Sequence, residues 1–171
     1  MSNAKKLSIS ALCLALCMVL PFFTGQIPEI GNMLSPMHIP VFLCGFLAGP
    51  FYGAAVGFIA PFLRYMLFHM PPLMPTGTAM AFEMLTYGLV TGILYPFFRG
   101  KTAAMYVALI AAMLAGRAVW GVVSLVLYGV QGNSFTFAMF LAGAFLNAVP
   151  AIILHILIVP PLVKALQKAG V

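Results

Sequence analysis

Three charged side chains fall inside long apolar stretches of this 171-residue chain: Arg64, Glu83 and Arg117. A charge at membrane depth costs at least ~2.5 kcal/mol on insertion scales, so it usually faces a partner or a wet cavity. Glu83, Tyr87 and Thr91 recur every four residues and share one helix face. Arg117, Trp120, Gly121 and Ser124 share another. A carboxylate, a guanidinium and a hydroxyl beside aromatic rings, set in apolar walls, suit a small polar ring. Asn147 adds an amide. The candidate substrate-binding residues are therefore Glu83, Arg117, Tyr87, Trp120, Asn147 and Arg64. A purely structural alternative stands beside each. Glu83 could pair with Arg64 or Arg117 only to join helices. Tyr87 and Trp120 could be packing, Arg64 could snorkel, and Asn147 could bond helix to helix.

The composition fixes the solvent in which such a site must exist. Apolar residues make up 64% of the chain and charged ones 6%, for a formal net charge of +6. A soluble domain carries about 25% charged residues. So few charges cannot clothe a water-facing surface. A soluble enzyme, a nucleic-acid-binding domain and a disordered tail are excluded, the second because the basic residues are scattered singly. An integral membrane protein remains.

At about 20 apolar residues per span, six helices fit in one compact bundle with no separate soluble domain. The fold expected is therefore all-α, a single domain of six transmembrane helices over residues 1–171. The spans are expected near Leu7–Thr24, Pro36–Ala48, Phe51–Phe68, Thr78–Phe98, Thr102–Tyr128 and Phe135–Val163. The second is short and could be tilted or re-entrant, and the sixth could break near Pro150 or Pro160. Gly49-Pro50 is a tight break, and the three prolines between His69 and Gly77 forbid a regular helix there. The first span follows Lys5 and Lys6 as a signal peptide would, but its apolar run is too long and no small-x-small site follows. It is expected to be retained.

Six spans place both termini on one side, with Lys5, Lys6, Arg99, Lys101, Lys164 and Lys168. The opposite loops contain Glu29 and no Lys or Arg. The positive-inside rule puts both termini in the cytoplasm. At about 1.5 Å per residue, Arg64 lies about 6 Å, Glu83 about 8 Å and Arg117 about 16 Å below the outer end of its span. Asn147 falls at the depth of Arg117. This distribution describes a pocket opening outward. His38 and His69 are expected at the outer surface, and His155 near the inner end of the last span, away from the pocket.

Familiar catalytic patterns are missing. The chain has no H-E-x-x-H, no G-x-S-x-G and no Walker A sequence, and only two acids for proton transfer. No enzymatic activity, metal or cofactor is expected. Cys13, Cys17 and Cys44 read as small apolar packing residues. Ala11 and Ala15 form a small-xxx-small pair on the first span, and Gly45/Gly49, Gly53/Gly57 and Gly88/Gly92 repeat the spacing. Such pairs let helix backbones approach closely, within this chain or against a partner.

The chain resembles the substrate-binding (S) components of energy-coupling factor (ECF) vitamin transporters. The resemblance rests on Ala11-Leu12-Cys13-Leu14-Ala15, which matches the family's A-x-x-x-A docking motif. It rests also on Pro36-Met37-His38-Ile39-Pro40-Val41 followed by Gly45, Gly49-Pro50, Gly53 and Gly57. A third stretch is Met80-Ala81-Phe82-Glu83 with Tyr87-Gly88. The resemblance implies capture of a vitamin or precursor from outside, using spans four to six and the outer loops as lids. It implies docking through Ala11 and Ala15 on a transmembrane coupling subunit driven by two ATPase subunits, with toppling of the S component in the membrane. It also implies a prokaryotic plasma membrane. Glu83 would suit an amino group or a protonated ring nitrogen, as in an aminopyrimidine, thiamine or a deazapurine precursor, and Arg117 or Arg64 a carboxylate, as in pantothenate; a hydroxymethylpyrimidine-like or related precursor ranks first. Two other functions remain open: a stand-alone or proton-coupled transporter using Glu83, and a membrane enzyme.

Overall fold

The computed structural model describes residues 2–24, 33–97 and 102–170. Glu29 and the Arg99-Gly100-Lys101 turn lie outside the described residues. Among those residues the chain is helical, with no strand. The helices are α1 (Asn3–Val19), α2 (His38–Ala48), α3 (Pro50–Phe68), α4 (Thr78–Phe97), α5 (Thr102–Val130), α6 (Phe137–Leu141) and α7 (Val149–Lys168). Among the described residues, five stretches are long and apolar enough to cross a membrane: Asn3–Phe23, Pro50–Phe68, Leu73–Phe97, Ala103–Val130 and Phe137–Lys168. The expected second span differs. It is an 11-residue helix, about 16 Å long, and falls short of a hydrocarbon core of about 30 Å.

Its shortness is matched by its position. Nearly every residue of α2 is buried, from His38 through Pro40–Phe46 to Ala48. A helix that is apolar all round belongs in the core. It is wrapped by α1, α3, α4 and α7. Gly49, at φ 101°, turns the chain sharply, and Pro50 opens α3 with its preset backbone.

The glycine pairs make the seam of the bundle. A methyl group on Gly88 would lie 2.2 Å from the Gly53 backbone, and one on Gly57 2.3 Å from the Met84 carbonyl oxygen. Gly45 abuts Thr91 and Gly88, and Gly92 abuts Pro50. Thus α2, α3 and α4 meet backbone to backbone. Without a hydrophobic driving force between helices in lipid, such close packing supplies the cohesion.

Both termini meet at one end. The Lys5 ammonium donates to the Gly170 carbonyl. The Gln167 amide donates to the Tyr95 hydroxyl at 2.7 Å, near the foot of α4. Ala11 and Ala15 lie exposed on α1, while Ser10, Cys13 and Cys17 face the bundle. The alanine pair is therefore not used to pack α1 inside this chain. All three cysteines are free and buried, as expected of packing residues.

The last span is interrupted just ahead of Pro150, one of the two places expected. Ala142–Leu146 widens into a π turn, the chain bends at Asn147-Ala148, and Pro150 stands in the first turn of α7. Pro160 and Pro161 lie within α7 without ending it.

Replacing Gly57 or Gly88 by leucine is expected to force α3 and α4 apart, at a cost at the upper end of the about 1–3 kcal/mol typical of overpacking. The readout is loss of the monodisperse peak in detergent chromatography. Gly129→Ala, with nothing within 4 Å of the added methyl, should be indistinguishable from the parent.

Candidate functional site

Glu83 and Tyr87 stand one turn apart on α4, so their side chains point the same way. The Tyr87 hydroxyl donates to Glu83 Oε1 at 2.5 Å. Arg117, reaching across from α5, places Nη1 2.9 Å from the same oxygen. The three residues are buried. Two helices thus meet through a carboxylate that is charge-paired and hydrogen-bonded at once. In the sequence Glu83 looked shallower than Arg117. Its span starts at Leu73 rather than Thr78, because Leu73–Gly77 is wound into an irregular turn. The contact between the two side chains itself puts Glu83 level with Arg117.

Thr91 shares the face but not the site. Its hydroxyl donates to the Tyr87 carbonyl at 2.7 Å, within its own helix. Arg64 is also elsewhere. Its Nη1 donates to the Met18 carbonyl at 2.9 Å, and its guanidinium lies 5.7 Å from the Phe22 ring and 5.1 Å from the Phe68 ring. It ties the end of α1 to α3 through a carbonyl and two aromatic faces.

Trp120 belongs to an aromatic wall with Phe135 and Phe140, at 5.8 and 6.3 Å between ring centroids. Gly143 admits the Trp120 ring and Gly121 admits Phe140, since a methyl on either glycine would touch the ring within 2.6 Å. The wall borders an apolar cleft of about 410 Å³, lined by Gly121, Leu125, Phe135 and Phe137 among others. Asn147 is exposed at the bend before α7 and does not join the Glu83 group.

Two residues placed elsewhere by sequence reasoning enter the core. His38 was expected at the outer surface; it is 2% exposed, because α2 begins at His38 and is enclosed from its first residue. His155 was expected near the inner end. The break at 142–148 restarts the helix at Val149, so His155 lies only about 9 Å from the start of α7. Its ring is 5.8 Å from His38 and 5.3 Å from Phe42. Its Nε2 lies 3.3 Å from the Ser35 carbonyl oxygen. The His38 ring meets the Tyr87 ring edge-on at 5.2 Å, and Phe42 packs on Tyr87 at 4.7 Å. The available signal was the unbroken apolar character of Val41–Phe46, which marks a helix buried on every side. His69 is exposed.

Three buried polar atoms lack a hydrogen-bond partner among the described residues: His38 Nδ1, His38 Nε2 and Arg117 Nε. Each such atom costs about 1–3 kcal/mol when left unpaired. No group of His, Cys, Asp or Glu fit to hold a metal ion occurs among the described residues.

Removing one member of the Glu83–Arg117 pair leaves a buried charge and is expected to cost about 3–5 kcal/mol. Glu83→Met and Arg117→Leu should each lower the thermal midpoint in detergent more than the two together. Additive losses would show that the two charges do not act as a pair.

Comparison with curated proteins and with solved structures gives no match. The pattern of the ECF transporter substrate-specific component matches residues 5–163, most of the chain. With its apolar helices and its charged pair sunk among them, the chain belongs to the substrate-specific components of ECF transporters.

Proposed function

We propose that this substrate-binding membrane subunit captures a small polar molecule without net charge at the Glu83–Tyr87–Arg117 group. A hydroxymethylpyrimidine or thiamine-related precursor fits ahead of a pantothenate-like acid. The observation that carries this is the ion pair itself. Glu83 and Arg117 cancel each other at 2.9 Å, so the site has no spare charge for an anion or a cation. An ionised ligand buried there would lack a counter-charge and would meet a desolvation cost of several kcal/mol. A neutral ring can exchange hydrogen bonds with the pair and stack on an aromatic of that group such as Tyr87.

In this reading residues 1–171 act as one six-helix unit in a prokaryotic plasma membrane. Lys5, Lys6, Lys164 and Lys168 hold the joined termini in the cytoplasm, by the positive-inside rule. The pocket opens to the outer side. The exposed pair Ala11 and Ala15 docks on the coupling subunit, where small side chains allow a close helix approach. ATP is hydrolysed by the two partner ATPases, and this chain performs no chemistry on its cargo.

Titration calorimetry on the purified chain tests the substrate class. 4-Amino-5-hydroxymethyl-2-methylpyrimidine is expected to bind more tightly than pantothenate, and the reverse order would overturn the neutral-ligand reading. Glu83→Gln should weaken the pyrimidine by about ten-fold or more, since a hydrogen bond to a charged group contributes about 1.5–3 kcal/mol. Ala11→Leu with Ala15→Leu should leave binding intact and abolish uptake in cells that also express the coupling and ATPase subunits. Normal uptake by that variant, or by this chain without those subunits, would refute the docking role.

A further inference from the structure

We propose that His38 is a substrate-contacting residue, and that the molecule it receives presents a hydrogen-bond donor and an acceptor side by side. This rests on the reading that Glu83, Tyr87 and Arg117 line the substrate site. His38 is 2% exposed, and neither ring nitrogen has a partner among the described residues. Native interiors leave few such groups unpaired. Its companion His155 is already engaged, with Nε2 against the Ser35 carbonyl. His38 is thus the imidazole with unused hydrogen-bonding capacity.

Its place identifies what that capacity serves. Tyr87 is the common neighbour: its ring edge meets His38 at 5.2 Å, and its hydroxyl shares Glu83 Oε1 with Arg117. The third unpaired atom, Arg117 Nε, belongs to the same group. So the residues that carry the unpaired atoms are linked through Tyr87 and Glu83, on elements far apart in sequence: α2 and α5, with α4 between them.

The chemistry of those atoms restricts the ligand. A neutral imidazole offers one donor and one acceptor, and Arg117 Nε offers only a donor. A carboxylate supplies acceptors alone and would leave the acceptor nitrogen of His38 unpaired. A ring carrying an amino or hydroxyl group next to a ring nitrogen or carbonyl serves both side chains. His38 would then select for the donor, a feature that Glu83 and Arg117, already bound to each other, do not read alone.

The test uses the full chain in detergent with 4-amino-5-hydroxymethyl-2-methylpyrimidine as probe. His38→Phe keeps an aromatic ring but removes both nitrogens, and is expected to weaken binding about ten-fold or more. His38→Gln restores a donor and an acceptor and should recover most of that loss. Unchanged affinity in His38→Phe, with loss in Glu83→Gln, overturns the role of His38 and leaves the site standing. Unchanged affinity in both overturns the site itself, and failure of the parent chain to bind the probe overturns both readings. If His38→Phe does not fold, the imidazole 15N signals of His38 in the parent decide. They are expected to move on adding the probe, and unmoved signals overturn the proposal.

Discussion

The backbone contact of Gly53 with Gly88 governs the geometry of this bundle. A single methyl group at Gly88 would stand 2.2 Å from the Gly53 backbone, so α3 and α4 touch at a distance no larger residue permits. The contact extends along both helices through Gly57 against Met84 and Gly92 against Pro50. It also draws in α2 through Gly45. In lipid, where apolar side chains gain nothing by leaving the solvent, such close van der Waals contact must hold helices together. An 11-residue α2 is stable because it is enclosed by this seam.

That enclosure has a chemical result. It brings His38, at the first turn of α2, against Tyr87 on α4. Tyr87 in turn completes the pair of Glu83 and Arg117. Two opposite charges buried together gain strength from the low dielectric, but each also loses its water. The shared oxygen of Glu83, bonded by both a guanidinium and a phenol, offsets part of that loss. The same arrangement leaves hydrogen-bonding capacity unused on His38 and on Arg117 Nε. A subunit that must recognise a small polar molecule inside an apolar bundle has a use for that capacity. Arg64 illustrates the other fate of a buried cation. Its carbonyl and two aromatic faces tie helices together.

Much of this was legible in the residues. The scarcity of charge gave the membrane class, and an even span count put both ends of the chain at one end of the bundle, where Lys5 and Gly170 meet. Four-residue spacing put Glu83 and Tyr87 on one face. The pairing with Arg117 was one of two open choices, since Arg64 was equally available by composition. Ala11 and Ala15 were ambiguous between internal packing and an outward face; their exposure on α1 settled which. The placements of His38 and His155 failed because depth was counted along straight helices. A short buried α2 and a break at 142–148 both shift residues relative to such a count.

The sequence by itself determined the solvent and the helical class, because composition and local periodicity depend on residues close together in the chain. It also determined that a very small set of polar groups must do any recognition, since so few exist. Only the tertiary structure decided which of them meet. Contacts among α2, α4, α5 and α7 join residues more than a hundred positions apart, as with His38 and His155. They depend on where a helix starts, where it breaks and how closely two backbones pass. Those quantities are set by packing against the whole bundle, and a window of neighbouring residues does not contain them.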